Sequence, residues 1–126
     1  MGLVPRPNFL GKTISELPMV HDKQYAALRS AVTPPLLTAQ STGYPNMGGG
    51  TLYVMPESQQ GTRVEFEILE YQPLLDSSNM THENWCQMAR DIRKYYDKFD
   101  GFVILHGTDT MAYTASALSM MCNHLG

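Results

Sequence analysis

The chain has 126 residues, 43% of them apolar, and a formal net charge of -3. That length suits one domain with a core of its own. No run of Lys and Arg is present, so the composition argues against nucleic acid or an anionic membrane as a partner. Two cysteines, Cys86 and Cys122, allow at most one bridge and no disulfide framework, which fits a reducing, cytoplasmic setting. Met1–Gly11 carries two prolines and lacks the apolar stretch of a signal peptide. Met1-Gly2 is followed by Arg6 where myristoylation wants Ser or Thr. No segment approaches the roughly 20 apolar residues of a membrane span.

Taken in chain order, Asn8 is placed to cap a short helix over Phe9–Leu17, which Pro18 ends. A second short helix is expected over His21–Val32. Ser30–Pro56 contains no charged residue and is rich in Pro, Gly, Ser and Thr, so Thr33–Gly50 reads as loop or insert. Gly48-Gly49-Gly50 lacks the Lys and Ser or Thr that a phosphate-binding loop places next, and reads as linker. Thr51–Met55 is a candidate short strand. Arg63–Tyr71 is a better one, since Val64, Phe66 and Ile68 alternate with Glu65 and Glu67. Thr81 starts a helix that runs to about Phe99. Trp85, Met88, Ala89, Ile92, Tyr96 and Phe99 recur on its apolar side, opposite Arg90, Asp91, Lys94 and Asp97. Asp100-Gly101 breaks it. Gly101–His106 (GFVILH) has the uninterrupted apolar character of a strand buried on both faces of a parallel sheet. Met111–Leu125 is the last helix, and it has no Asp, Glu, Lys or Arg. A helix without a charged face is expected to be covered on nearly all sides. The alternation of strands and helices predicts an α/β fold with a mostly parallel, flavodoxin- or Rossmann-like sheet, incomplete at both ends.

Two polar clusters fall where such a sheet binds ligands, beyond the carboxyl ends of strands and ahead of helix N-termini. One is Asp76-Ser77-Ser78-Asn79-Met80-Thr81. The other is Gly107-Thr108-Asp109-Thr110. Ser77 and Ser78 offer donors for a carboxylate, and Asp109 offers a negative charge for an ammonium. Together they suit a zwitterionic amino acid. The Thr108 hydroxyl is suited to activating or orienting a nucleophile if a base is near. The plainer reading makes Thr81 and Thr110 helix caps and the remainder ordinary turn chemistry.

PLLDSSNMTHENW (Pro73–Trp85) followed by DGFVILHGTDTMAYTASALS (Asp100–Ser119) resembles the type I, cytoplasmic-type L-asparaginases, including the asparaginase/lysophospholipase-like proteins of animals. The resemblance is strong over Gly61–Gly126 and weak over Pro5–Asp22. It implies hydrolysis of L-asparagine to L-aspartate and ammonia without metal or cofactor. A threonine hydroxyl would attack the side-chain amide, and the resulting acyl-enzyme would be opened by water. Residue by residue, it implies that Asp76, Ser77 and Ser78 form the pocket for the substrate's α-carboxylate. Asp109 would hold the α-ammonium. Thr108 would be the second catalytic threonine, in a Thr-Asp-Lys relay. The family's proteins are homo-oligomers, with no nucleic-acid or membrane partner implied.

The T-G-G-T-I-G motif that carries the first nucleophilic threonine of the family is not among these residues. The relay lysine and the C-terminal domain are expected beyond Gly126. Residues 1–126 are thus expected to be part of an N-terminal domain, with 33–61 a flexible loop or insertion, and to be inactive alone. The alternative is a non-catalytic interaction or small-amino-acid-binding module. Ala39-Gln40-Ser41-Thr42-Gly43 misses the first glycine of a nucleophile elbow and no strand precedes it. His21-Asp22, His82-Glu83 and Cys122-Asn123-His124 lack metal-ligand spacing. His106 reads as a structural histidine at a strand end, Cys86 as packing beside Trp85, and the Asn79-Met80-Thr81 sequon as chance.

Overall fold

The computed structural model describes residues 4–37 and 51–124, and the chain divides into two compact units, Met1–Leu74 and Leu75–Gly126. Most of Thr33–Gly50, and the Ala39–Gly43 and Gly48–Gly50 stretches, lie outside the described residues.

The first unit holds α1 (Phe9–Ser15), α2 (Lys23–Val32) and a two-stranded antiparallel sheet of β1 (Tyr53–Val54) and β2 (Glu65–Phe66). Tyr53 pairs with Phe66 and Val54 with Glu65. The Tyr53 and Phe66 rings stack at 5.2 Å across this register. The connecting turn closes through Ser58 N–H to the Thr62 carbonyl at 2.8 Å, with Gly61 at φ 75°, a left-handed conformation glycine adopts without cost to a Cβ. Val54 has no exposed surface, and Ala26 of α2 and Leu52 complete a small core with it. β1 lies within the span 33–61 read as loop.

Asn8 occupies the cap position of α1, but its side chain makes no cap bond. Its φ of 60° is left-handed, which Asn tolerates better than most residues, and its backbone N–H is donated to Glu70 Oε1 at 2.7 Å. The helix expected from His21 starts at Lys23, and Asp22, inside the expected span, caps it by accepting from Tyr25 N–H at 3.0 Å. The same carboxylate accepts from Arg63 at 2.9 Å, and the Arg63 guanidinium lies 4.1 Å from the centre of the Tyr25 ring. His21 is buried; its Nδ1 accepts the Val54 N–H at 3.3 Å. The glutamates of the 63–71 segment also differ from a simple solvent face. Glu65 pairs with Arg29 at 2.6 Å, Glu67 accepts from the Leu36 and Leu37 amides at 2.7 Å each, and Glu70 holds Asn8. Only Glu65–Phe66 of that segment is strand, and Val64 is 57% exposed.

The second unit contains a 3-10 turn at Ser77–Asn79, α3 (His82–Tyr95), a further 3-10 turn at Tyr96–Lys98, and α4 (Met111–Met121). Thr81 caps α3 with its backbone N–H donated to Asn84 Oδ1 at 2.8 Å. Met88 and Tyr95 are the buried residues of α3. Tyr95 takes the inward place expected for Tyr96, because it is seven residues after Met88 and stays on the same helical stripe. Its ring meets Phe99 edge-on, and Phe99 meets Phe102 in the same way. α4 packs against α3 through a narrow stripe, Thr114 and Leu118, while Tyr113 and Met120 are 68% and 79% exposed. The full coverage expected of this uncharged helix is therefore not found among the described residues.

The structure is α/β in content, but its sheet among the described residues is antiparallel. Gly101–His106, expected as a buried parallel strand, carries no strand pairing, and Val103 and Leu105 are 88% and 70% exposed. A ladder needs a neighbouring strand to take its N–H and C=O groups, and the described residues supply none to this segment. Among the described residues no helix is long and apolar enough to cross a membrane.

Two expectations follow for the first unit. Val54→Ala empties the centre of its core and is expected to lower stability by about 2 kcal/mol, read as a reduced unfolding midpoint. The Tyr25 N–H bond, and then the Arg63 hydrogen bond, hold the Asp22 carboxyl below its ordinary value of 3.8. A depressed carboxylate contributes stability that is complete above its unfolded value and fades as pH falls through the folded one. Asn retains the cap but not the charge. Asp22→Asn should thus unfold earlier than the parent chain at neutral pH, with the gap between the two melting curves closing below pH 3.8.

Candidate functional site

The two polar clusters lie in the second unit, and the structure brings them together. The Asp76 carboxylate accepts the Ser78 N–H at 3.0 Å and thereby starts the 3-10 turn that presents Ser77 and Ser78. Ser77 is buried and is held from both of its ends. Its hydroxyl donates to Asp109 Oδ2 at 2.8 Å, and its carbonyl accepts the Thr110 hydroxyl at 2.6 Å. These bonds join residues 32 and 33 positions apart in the chain.

Gly107 is the steric condition for this approach. A Cβ built on it would overlap the Ser77 Oγ and Cβ, so a side chain here would drive the two turns apart. Ser78, Thr108, Asp109 and Asp76 remain exposed around the buried Ser77. The result is a shallow polar patch with two adjacent turns, hydroxyls on one and a carboxylate and hydroxyl on the other. Such a patch can offer neutral donors to an anionic group and a carboxylate to a cationic group a few ångströms away.

Thr110 does not cap α4 through its side chain; the hydroxyl is spent on the Ser77 carbonyl instead. The carbonyl of Ser77, inside a tight turn, needs a donor, and Thr110 is the hydroxyl that reaches it. This linking role was not legible in the sequence, where Ser or Thr before a helix signals a cap. Nor was a second group of contacts. Trp85 Nε1 donates to Thr114 Oγ1 at 2.8 Å, Thr114 Oγ1 lies 2.9 Å from His106 Nε2, and His106 Nδ1 meets the Gly107 carbonyl. The helical period alone gives Trp85 and Thr114 no more than an inward position. Cys86 and Cys122 are free and half-buried. His82 pairs with its neighbour Glu83. No group of three or more His, Cys, Asp or Glu side chains is gathered for a metal ion among the described residues.

Comparison with known proteins places the chain in a family. The family profile described as "Asparaginase, N-terminal" matches residues 12–126. L-asparaginase 1 of Escherichia coli (strain K12) is 60% identical over 75 residues, which is 60% of this chain and 22% of that protein. L-asparaginase of Dirofilaria immitis is 38% identical over 121 residues, 96% of this chain and 18% of that one. The 60 kDa lysophospholipase of Homo sapiens is 34% identical over 125 residues, 99% of this chain and 19% of that one. The chain spans about a fifth of the length of these relatives. With the profile covering nearly its whole length, the chain belongs to the asparaginase family, over that family's N-terminal domain.

Proposed function

We propose that these residues form the substrate-gripping half of an asparaginase site, in a protein that hydrolyses L-asparagine to L-aspartate and ammonia. The observation that carries this reading is the 2.8 Å bond between Ser77 and Asp109, which puts a donor set for a carboxylate beside the counter-charge for an ammonium. Ser77 and Ser78, in the turn set by Asp76, take the α-carboxylate: the Ser78 hydroxyl donates directly, and the Ser77 hydroxyl turns its proton from Asp109 once the ammonium occupies that carboxylate. Asp109 takes the α-ammonium as its counter-charge. With both ends held, the side-chain amide is aimed at one place, and this positioning is a large share of what an amidohydrolase must do.

Thr108, exposed on the same turn as Asp109, is the second catalytic threonine. It acts in a Thr-Asp-Lys relay together with the nucleophilic threonine of the T-G-G-T-I-G motif. Neither that motif nor the relay lysine is contributed by the 126 residues, so the polypeptide by itself binds but does not cut. The reaction needs no cofactor. In the full-length protein the setting is a mostly parallel, Rossmann-like sheet, a homo-oligomer and the cytoplasm.

The test uses the 126-residue chain and L-asparagine. Millimolar-range binding, about -4 kcal/mol at a dissociation constant of 1 mM, is expected to shift the amide resonances of Ser77, Ser78 and Asp109. Asp109→Asn should weaken binding roughly tenfold or more through loss of a charged hydrogen-bond acceptor. Ammonia release should stay at the blank rate. Unaltered resonances at saturating L-asparagine, or binding indifferent to Asp109→Asn, would remove the reading.

A second reading, an interaction module, is favoured by the exposed apolar side chains of Val103, Leu105 and Met120. It expects the chain to elute from gel filtration as a concentration-dependent oligomer. A monomer at all concentrations would oppose it.

A further inference from the structure

Trp85, Thr114 and His106 form a chain of contacts that ends on the backbone of the turn carrying Thr108 and Asp109. The chemistry of its two ends settles which atom donates at each step. An indole N–H can only donate, so Thr114 Oγ1 accepts from Trp85. A carbonyl can only accept, so the proton between His106 and Gly107 sits on His106 Nδ1. In a neutral imidazole Nε2 is then bare, and it accepts the Thr114 hydroxyl proton at 2.9 Å. Each of the three hydrogens thus has one acceptor.

The opposite tautomer would set a ring lone pair against the Gly107 carbonyl. Thr114 Oγ1, with two lone pairs, could accept both N–H groups, but its own proton would then lose His106 Nε2 as its acceptor. Thr114 is only 3% exposed, so its hydroxyl has little recourse to water. A side chain on Gly107 would overlap Ser77, so the residue that His106 bonds is also the one that lets the two turns approach.

We propose that His106 is a positioning residue, held in its Nδ1-protonated form by Trp85 and Thr114, and that it orients the Gly107 peptide and so aims Thr108 and Asp109. The functional consequence rests on the asparagine reading above, whereas the tautomer and the orientation of the turn do not. His106 touches no substrate in this scheme. It acts through one peptide unit, and a bulky or merely space-filling replacement would not reproduce the effect.

The test is nitrogen-15 NMR of the imidazole in the full 126-residue chain, with Thr114→Val and Thr114→Ser beside the parent. The parent is expected to carry its His106 proton on Nδ1. Thr114→Val keeps the side-chain shape and deletes the hydroxyl. It should populate the Nε2-protonated form, shift the Thr108 and Asp109 amide resonances, and weaken L-asparagine binding by roughly three- to tenfold, the scale of one lost hydrogen bond. Thr114→Ser should restore all three readouts. An Nε2 proton in the parent, or Thr108 and Asp109 resonances unmoved by Thr114→Val, would overturn the proposal. If Thr114→Val does not fold, the parent and Thr114→Ser decide, because loss of the Nδ1 form in either one is fatal. Should the parent bind no L-asparagine while the tautomer and the turn respond as described, the asparagine reading fails and the positioning role stands.

Discussion

The second unit depends on how closely two turns can approach at Ser77. Each turn is ordinary by itself, a 3-10 turn capped by Asp76 and a short connection into α4. What joins them is a buried serine used at both of its oxygens, by Asp109 and by Thr110. A buried hydroxyl and a buried carbonyl each need a partner, and here both partners come from one stretch of three residues, Thr108–Thr110. Gly107 makes room for the arrangement, since the space its missing side chain would fill is occupied by the Ser77 side chain. Packing and polar satisfaction therefore act on the same few atoms. A change at any of Ser77, Gly107 or Asp109 disturbs the geometry of the patch before it disturbs its chemistry.

The residues of this patch were legible in the sequence because their chemistry is local. Asp-Ser-Ser ahead of one helix and Gly-Thr-Asp-Thr ahead of another are turn sequences in any fold, and their polarity stands out against the apolar segments that flank them. The helices were legible too, α3 from the period of its apolar residues behind Thr81 and α4 as an uncharged stretch that follows a polar turn. What the sequence could not give was pairing. GFVILH has the composition of a buried strand, but a strand exists only with a neighbour, and composition says nothing about one. The phase of α3 was misjudged by one residue at its end, where Tyr95 rather than Tyr96 turns inward as the helix passes into a 3-10 turn. The links from Trp85 through Thr114 to His106 were also invisible, because they join three separate segments and no local pattern says which side chains meet.

In the first unit a comparable economy joins the elements through single carboxylates. Asp22 caps α2 and holds Arg63, and Arg63 in turn covers the Tyr25 ring. The apolar core there is small, with Ala26, Leu52 and Val54 at its centre. Hydrogen bonds that backbone amides donate to carboxylates are charge-assisted and stronger than neutral ones, so they suit a unit with little apolar area to bury.

The three glutamates of the 63–71 segment divide by the kind of partner they take. Glu65 faces a guanidinium, whereas Glu67 and Glu70 face peptide N–H groups that carry no net charge. Dissolved ions screen attraction between two full charges at an exposed site far more than they weaken a short bond to an amide. Added salt would therefore loosen the tie between α2 and β2 first, and leave Leu36, Leu37 and Asn8 tethered. Ionic strength becomes a selective probe that separates one fastening of this unit from the other two.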